Sequence, residues 1–168
     1  ETSGGFDANP HGGAIYIGGS GANLPPVLIS DRCQFSDNLA QDGNGGGAIY
    51  SEARSRLQLY GSRFVCNNSR AFLTTYEGGA IFMQDSYGSI DSCYFAGSPV
   101  FNQQGGAVRA INGGARLTIS ILNTIFTDNT ARQGSAVYME DNLDCNIVNS
   151  LIFANTTVSV SQWAKQMQ

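Results

Sequence analysis

The sequence predicts an all-β fold, a parallel β-helix of about five coils with three short strands per coil, and three observations carry that expectation. The pentapeptide GGAIY at Gly12 returns unchanged at Gly46, then as GGAIF at Gly78, GGAVR at Gly105 and GSAVY at Gly134. A second motif alternates with it: FSDN at Phe35, FVCN at Phe64 and FTDN at Phe126, with weaker copies FAGS at Phe95 and FANT at Phe153. Both recur at about 30 residues, a period that signals a solenoid, a propeller or an array. Between them, apolar residues alternate with period two and are bounded by Gly, Asn, Asp and Ser, the pattern of short strands rather than helices. Propeller blades need about 40–50 residues and leucine-rich repeats need their own Leu frame, so neither fits.

Each element of the unit has a physical reading. The paired glycines turn a corner where a positive φ or a close backbone approach excludes a Cβ. A small Ala follows, and then Ile15, Ile49, Ile81, Val108 and Val137 enter the core. The fifth position holds Tyr16, Tyr50, Phe82, Arg109 and Tyr138. Arg at one copy makes this position outward, because an unpaired buried Arg is very unfavourable, and alternation is what sends the preceding residue inward. A strand of L-x-I type comes next, as LQL at Leu57, LTISI at Leu117 and CNIV at Cys145. In the third strand the small residues Cys33, Ser62, Cys93 and Thr124 share an inward face with a stack of Phe35, Phe64, Phe95, Phe126 and Phe153. Asn38, Asn67 and Asn129 then form a ladder at a turn, bonding the coils above and below. Five coils about 4.8 Å apart give a body about 25 Å long, because no coil can bury its apolar face alone.

The 168 residues suit one domain: a lead-in at 1–11, repeat coils at 12–158, and a tail or cap at 159–168. Trp163 and Met167 stand at i and i+4 in that tail, enough for one amphipathic turn docked over the last coil, whereas the N-terminal end is expected to be bare. Hydrophobic residues at 42% argue for a globular chain. A net charge of −4 without a basic cluster argues against nucleic acid as a partner. No apolar run approaches the roughly 20 residues that span a bilayer, so no membrane insertion is expected. No signal peptide stands at Glu1, and the chain reads as mature or as excised from something larger.

Repeats of G-G-A-[IV]-[YF] alternating with F-x-x-N resemble those of the chlamydial polymorphic outer membrane proteins and related large secreted β-helix proteins. The resemblance runs from Gly12 to about Asn155. It implies a right-handed parallel β-helix, displayed outside the cell as the passenger of an autotransporter and acting in adhesion. The final SVSQWAKQMQ does not supply that family's membrane β-barrel, which leaves a passenger fragment or a free-standing unit.

Right-handed β-helices are often polysaccharide lyases or hydrolases, chemistry that depends on carboxylates. Glycoside hydrolysis needs two positioned acids, and lyase chemistry wants a calcium-binding cluster beside a base. Paired acids occur only at Glu140 and Asp141, with Asp144 nearby, and they read as a solvated turn; Asp141 and Asp144 are the weak metal candidates. Asp42-Gly43-Asn44-Gly45 is a turn, His11 a loop histidine, and Arg109 a product of drift or a surface salt bridge. No catalytic residue and no cofactor are expected. Cys33, Cys66, Cys93 and Cys145 read as buried free thiols, one disulfide being the alternative. Asn67 and Asn155 head sequons and are glycosylation candidates.

Tyr16, Tyr50, Phe82 and Tyr138, beside outward Ala14, Ala48, Ala80, Ala107 and Ala136, form the expected contact surface. A loop or the tail covering it, protein packing and sugar stacking are the three readings. The expected function is a secreted or cell-surface structural and adhesive β-helix without catalysis, a subunit of a fibre that assembles head to tail. Its partners would be copies of itself, another extracellular protein or carbohydrate. The alternative is a carbohydrate-binding or polysaccharide-degrading protein of the same fold.

Overall fold

The computed structural model describes residues 12–18, 24–41, 45–70, 77–100 and 104–158. His11, most of the Asp42 turn, the lead-in and the tail with Trp163 and Met167 lie outside them. Three columns of parallel strands stack along one axis. The first comprises Ile15–Ile17, Ile49–Ser51, Ile81–Gln84 and the starts of Val108–Leu122 and Val137–Val148. The second comprises Val27–Asp31, Arg56–Tyr60, Tyr87–Asp91 and the later parts of the same two long strands. The third is a 5-stranded sheet of Gln34–Ser36, Arg63–Val65, Tyr94–Ala96, Ile125–Thr127 and Leu151–Phe153. Each column therefore has five tiers, joined by about four full turns. Short pairs after the Asn ladder, Leu39–Gln41 with Asn68–Arg70 and Thr130–Ala131 with Thr156–Thr157, add a partial fourth column that the sequence did not announce.

Register follows the repeat. Ile15, Ile49, Ile81, Val108 and Val137 are in line through the first column, one per tier. Phe35, Phe64, Phe95 and Phe126 stack with ring centroids 4.7, 4.6 and 4.9 Å apart and planes within 10°. The stack ends there. Phe153 pairs with Thr127 and is half-exposed, and Ile152 sits on Phe126 instead. The motif copies align by their Asn, not by their Phe: Asn155 stands three residues after Ile152, as Asn129 stands three after Phe126.

The chain turns into and out of the third column on single left-handed residues. Arg32, Gly61, Ser92, Asn123 and Asn149 have φ of 51, 54, 54, 49 and 49°; Asp37, Cys66, Gly97, Asp128 and Ala154 have 56, 54, 62, 56 and 53°. A non-glycine residue there costs about 1–2 kcal/mol. The bend leaves the ladder unbroken, which is why it is tolerated. Arg32 N donates to Tyr60 O at 2.8 Å, Ser92 N to Leu122 O at 3.0 Å and Cys66 N to Ala96 O at 2.9 Å.

Inward polar columns run beside the Phe stack. Ser62, Thr124 and Ser150 each donate a hydroxyl to the carbonyl two residues earlier, at 3.0, 2.7 and 3.0 Å. Each also accepts from the tier before: Cys33 N to Ser62 Oγ, Cys93 N to Thr124 Oγ1 and Thr124 N to Ser150 Oγ, at 3.2, 3.3 and 3.2 Å. Buried polar groups must be paired, and here the repeat itself supplies the partner.

Candidate functional site

The expected contact surface is corrected by burial. Tyr50, Phe82 and Arg109 are exposed by 1, 0 and 1%, Tyr138 is half-buried, and Tyr16, at 48%, is open to solvent. The expected outward direction of four alanines is corrected too: Ala48, Ala80, Ala107 and Ala136 belong to the inner core cluster together with Ile49, Ile81 and Val108. Tyr50 and Phe82 are outside that cluster, so they do point away from the core, as alternation requires. Outward is nevertheless not exposed, because the glycine corner doubles back over the outer face of the strand it leads into. A Cβ placed at Gly105 would lie 2.6 Å from Arg109 Cβ, and one at Gly134 2.8 Å from Tyr138 Cβ. The corner backbone thus forms part of the cover.

Under that cover the column is continuous. Tyr16 and Tyr50 stack at 5.7 Å and 7°, and Tyr50 meets Phe82 at 5.2 Å and 50°. Arg109 occupies the fourth tier as a cation between rings, its Cζ 5.6 Å from the Phe82 centroid and 5.5 Å from that of Tyr138. Its Nη2 lies 3.3 Å from Glu140 Oε2. A desolvated cation–π contact stabilises by about 2 kcal/mol, and the carboxylate balances the charge. Arg109 does not form a surface salt bridge; it takes the place of an aromatic in a buried stack.

In the first two tiers of the column both oxygens of the Glu52 carboxylate accept tyrosine hydroxyls, from Tyr16 and, at 2.9 Å, from Tyr50. The Glu52 hydrogen bond, with some burial, pushes the Tyr16 phenol up to about 12. Burial first and then Glu52 push Tyr50 up further. Both phenols are neutral across the physiological range, so neither serves as a tyrosinate base.

The other candidates are dispersed. Asp141 and Asp144 lie within the Val137–Val148 strand, not in a loop, on either side of a register shift between Asn112 and Leu117. Asp141 is exposed with φ of 65°, and Asp144 pairs with Arg116 at 3.5 Å. Among the described residues no three His, Cys, Asp or Glu converge as metal ligands. Among them, too, no helix is long and apolar enough to cross a membrane.

Asn67 is fully buried. Its Nδ2 donates to Phe35 O at 2.9 Å, and its Oδ1 accepts Asn38 Nδ2 at 2.8 Å and Asn38 N at 3.2 Å. A glycan there is incompatible with this fold, which corrects that assignment. Asn155 is half-buried and donates to Phe126 O at 3.0 Å while accepting Asn129 Nδ2 at 2.9 Å. The Asn ladder is thus real in two pieces, Asn38–Asn67 and Asn129–Asn155. Ser98 stands between them, its N donating to Asn129 Oδ1 at 3.1 Å; the copy FAGS was the signal for that break.

All four cysteines are free, but only Cys93 is buried; Cys145 is half-buried and Cys33 and Cys66 are exposed. Burial pushes the Cys93 thiol up to about 11 and also raises Cys145, which disfavours the reactive thiolate at both. Cys66 escapes the core because it occupies a left-handed corner.

Against known proteins, the family model described as a right handed beta helix region matches residues 6–168. No curated protein and no solved structure matches the chain. The stacked parallel tiers, the repeat register and that match over nearly the whole chain agree: it belongs to the right-handed β-helix family.

Proposed function

We propose that this chain is a non-catalytic structural or adhesive β-helix of the secreted or cell-surface kind, akin within its family to the polymorphic outer membrane proteins whose repeats it resembles. One observation carries the reading: the recurring polar side chains are engaged in bonds between tiers, and among the described residues no three His, Cys, Asp or Glu converge. Asn67, Asn129, Ser62 and Thr124 are all fully buried and all bonded to a neighbouring tier. Hydrolysis or elimination at a sugar needs two or more such groups converging in a cleft. Contact with another extracellular protein would fall on the end tiers, where Val27 and Ile29 are 53 and 63% exposed and Leu151 and Phe153 54 and 47%.

The test pairs two assays on the intact chain. Acidic and neutral polysaccharides, with and without calcium, should stay uncut, while the chain should adhere to protein-coated surfaces or cells. Cleavage that disappears in Asp141→Asn or Asp144→Asn would overturn the reading.

A second reading rests on Tyr16. Its half-exposed ring, backed by Tyr50 and bonded to Glu52, is the arrangement on which a sugar ring stacks while its hydroxyls bond a carboxylate. Glycan binding lost in Tyr16→Ala would favour it.

A further inference from the structure

In the first column the second corner glycine of each tier lies directly against the tier that follows. A Cβ at Gly13 would stand 1.9 Å from the Gly47 carbonyl oxygen, at Gly47 2.2 Å from that of Gly79, at Gly79 1.8 Å from that of Gly106, and at Gly106 2.0 Å from that of Ser135. No Cβ fits at such distances against a backbone held in a ladder. The fifth tier breaks the pattern: its residue is Ser135, which carries the Cβ that the four earlier tiers exclude. Register is maintained up to it, since Gly106 N donates to Gly134 O and Ala107 N to Ala136 O, both at 3.1 Å. The Ser135 Cβ is therefore aimed at the place where the carbonyl oxygen of an added in-register tier would stand.

The Asn ladder closes at the same tier, on independent atoms. Asn129 sends one Nδ2 bond back to Phe95 O at 3.2 Å and another forward to Asn155 Oδ1 at 2.9 Å. Asn155 sends one back to Phe126 O, but its other turns onto its own strand, to Phe153 O at 2.9 Å. The forward bond has become an internal one.

We propose that Ser135 is a stop residue, which bars a second copy of this chain from laying its first tier in register on the fifth and so prevents copies from joining coaxially into one continuous solenoid. The barrier matters because, among the described residues, the fifth tier otherwise presents apolar groups to an added one. The inward side chain of Ile152 is 49% exposed there and would face Phe35 of an added first tier, while Leu28 of that tier would lie on the half-buried Cys145. This goes beyond the structural reading above and stands whether or not the chain proves adhesive. It removes the coaxial form of the head-to-tail fibre and leaves contacts through the side faces open.

The test uses a thiol pair that reports coaxial contact alone. Ser150 is in the column that holds Cys33 and Cys93, so in an in-register stack Cys33 of the second copy would stand about 4.8 Å from a cysteine at 150, within reach of a disulfide. The S150C, S135A/S150C and S135G/S150C chains are oxidised at high concentration and run without reductant, with Cys33→Ser added as the control for specificity. S135G/S150C should give a ladder of disulfide-linked multimers that requires Cys33, whereas S150C and S135A/S150C should not, because alanine keeps the Cβ. A Cys33-dependent ladder in either Cβ-bearing protein would overturn the proposal. So would the absence of a ladder in S135G/S150C with its circular dichroism unchanged.

Discussion

The middle tiers and the fifth tier share one repeat but not one physical state. In tiers two to four a residue has a neighbour on both sides, so Phe64, Phe95 and Phe126 are fully buried and the corner must be glycine. In the fifth tier the equivalents are Ile152, 49% exposed, and Ser135. Burial in a solenoid is thus a property of position along the stack as much as of the residue, since each tier's core is completed by the next.

The largest expected break in that comparison is Gly79→Ala. Its Cβ would stand 1.8 Å from Gly106 O, so the stack must open, with a loss of about 4 kcal/mol or more and a chain that struggles to fold. Ser135→Gly, at the matching position of the last tier, should change stability by less than about 1 kcal/mol, read from chemical denaturation. Next in size, Phe95→Ala should lower stability by about 3–5 kcal/mol through cavity formation, and Ile152→Ala by about 1 kcal/mol. Tyr50→Ala belongs with Phe95, not with Ile152, because its ring is buried despite facing outward. An effect for Tyr50→Ala as small as that for Ile152→Ala would show that the glycine corners do not cover the column.

Smaller again is the Asn pair. Asn129→Ala leaves Phe95 O and the Ser98 N–H without their partner and should cost about 2–3 kcal/mol; Asn155→Ala, nearer the open end, should cost about half as much. The pH response is the smallest and is confined to alkali. Tyr16 goes from its ordinary 10.0 to about 12, and Cys93 from 9.0 to about 11. A raised folded-state value contributes stability that is fully present below the unfolded value and lost as pH rises through the folded one. Thermal midpoints should therefore be flat from neutrality to about 9, fall between about 9 and 12, and fall less in Tyr16→Phe.

What the sequence made legible was whatever depends on period and parity. The repeat gave the three columns, the inward line of Ile and Val, the Phe stack and the Asn ladder, because a one-residue slip would invert every side chain. What escaped was whatever depends on the third dimension around a strand. Tyr50 and Phe82 were assigned to the correct face yet to the wrong environment, since alternation says nothing about a corner folding over that face. Arg109 in a sequence demands solvent, but two rings and Glu140 meet its needs internally. Asn67 reads as a sequon in a string and as a ladder rung in space. The anomaly GSAVY was visible all along; only the carbonyl distances gave it a meaning.

Amide hydrogen exchange at equivalent positions of the first column tests most directly that the ladder of the described residues runs forward through the tiers and stops at the fifth. Ala48, Ala80 and Ala107 donate their N–H groups to the following tier at 2.8, 2.9 and 3.1 Å, and among the described residues Ala136 has no such acceptor. The expected result is slow exchange at Ala48, Ala80 and Ala107, approaching the rate set by global unfolding, with Ala136 exchanging much faster. Protection of Ala136 equal to that of Ala107 would mean that another strand lies on the fifth tier, and would contradict the view of it as the end of the stack.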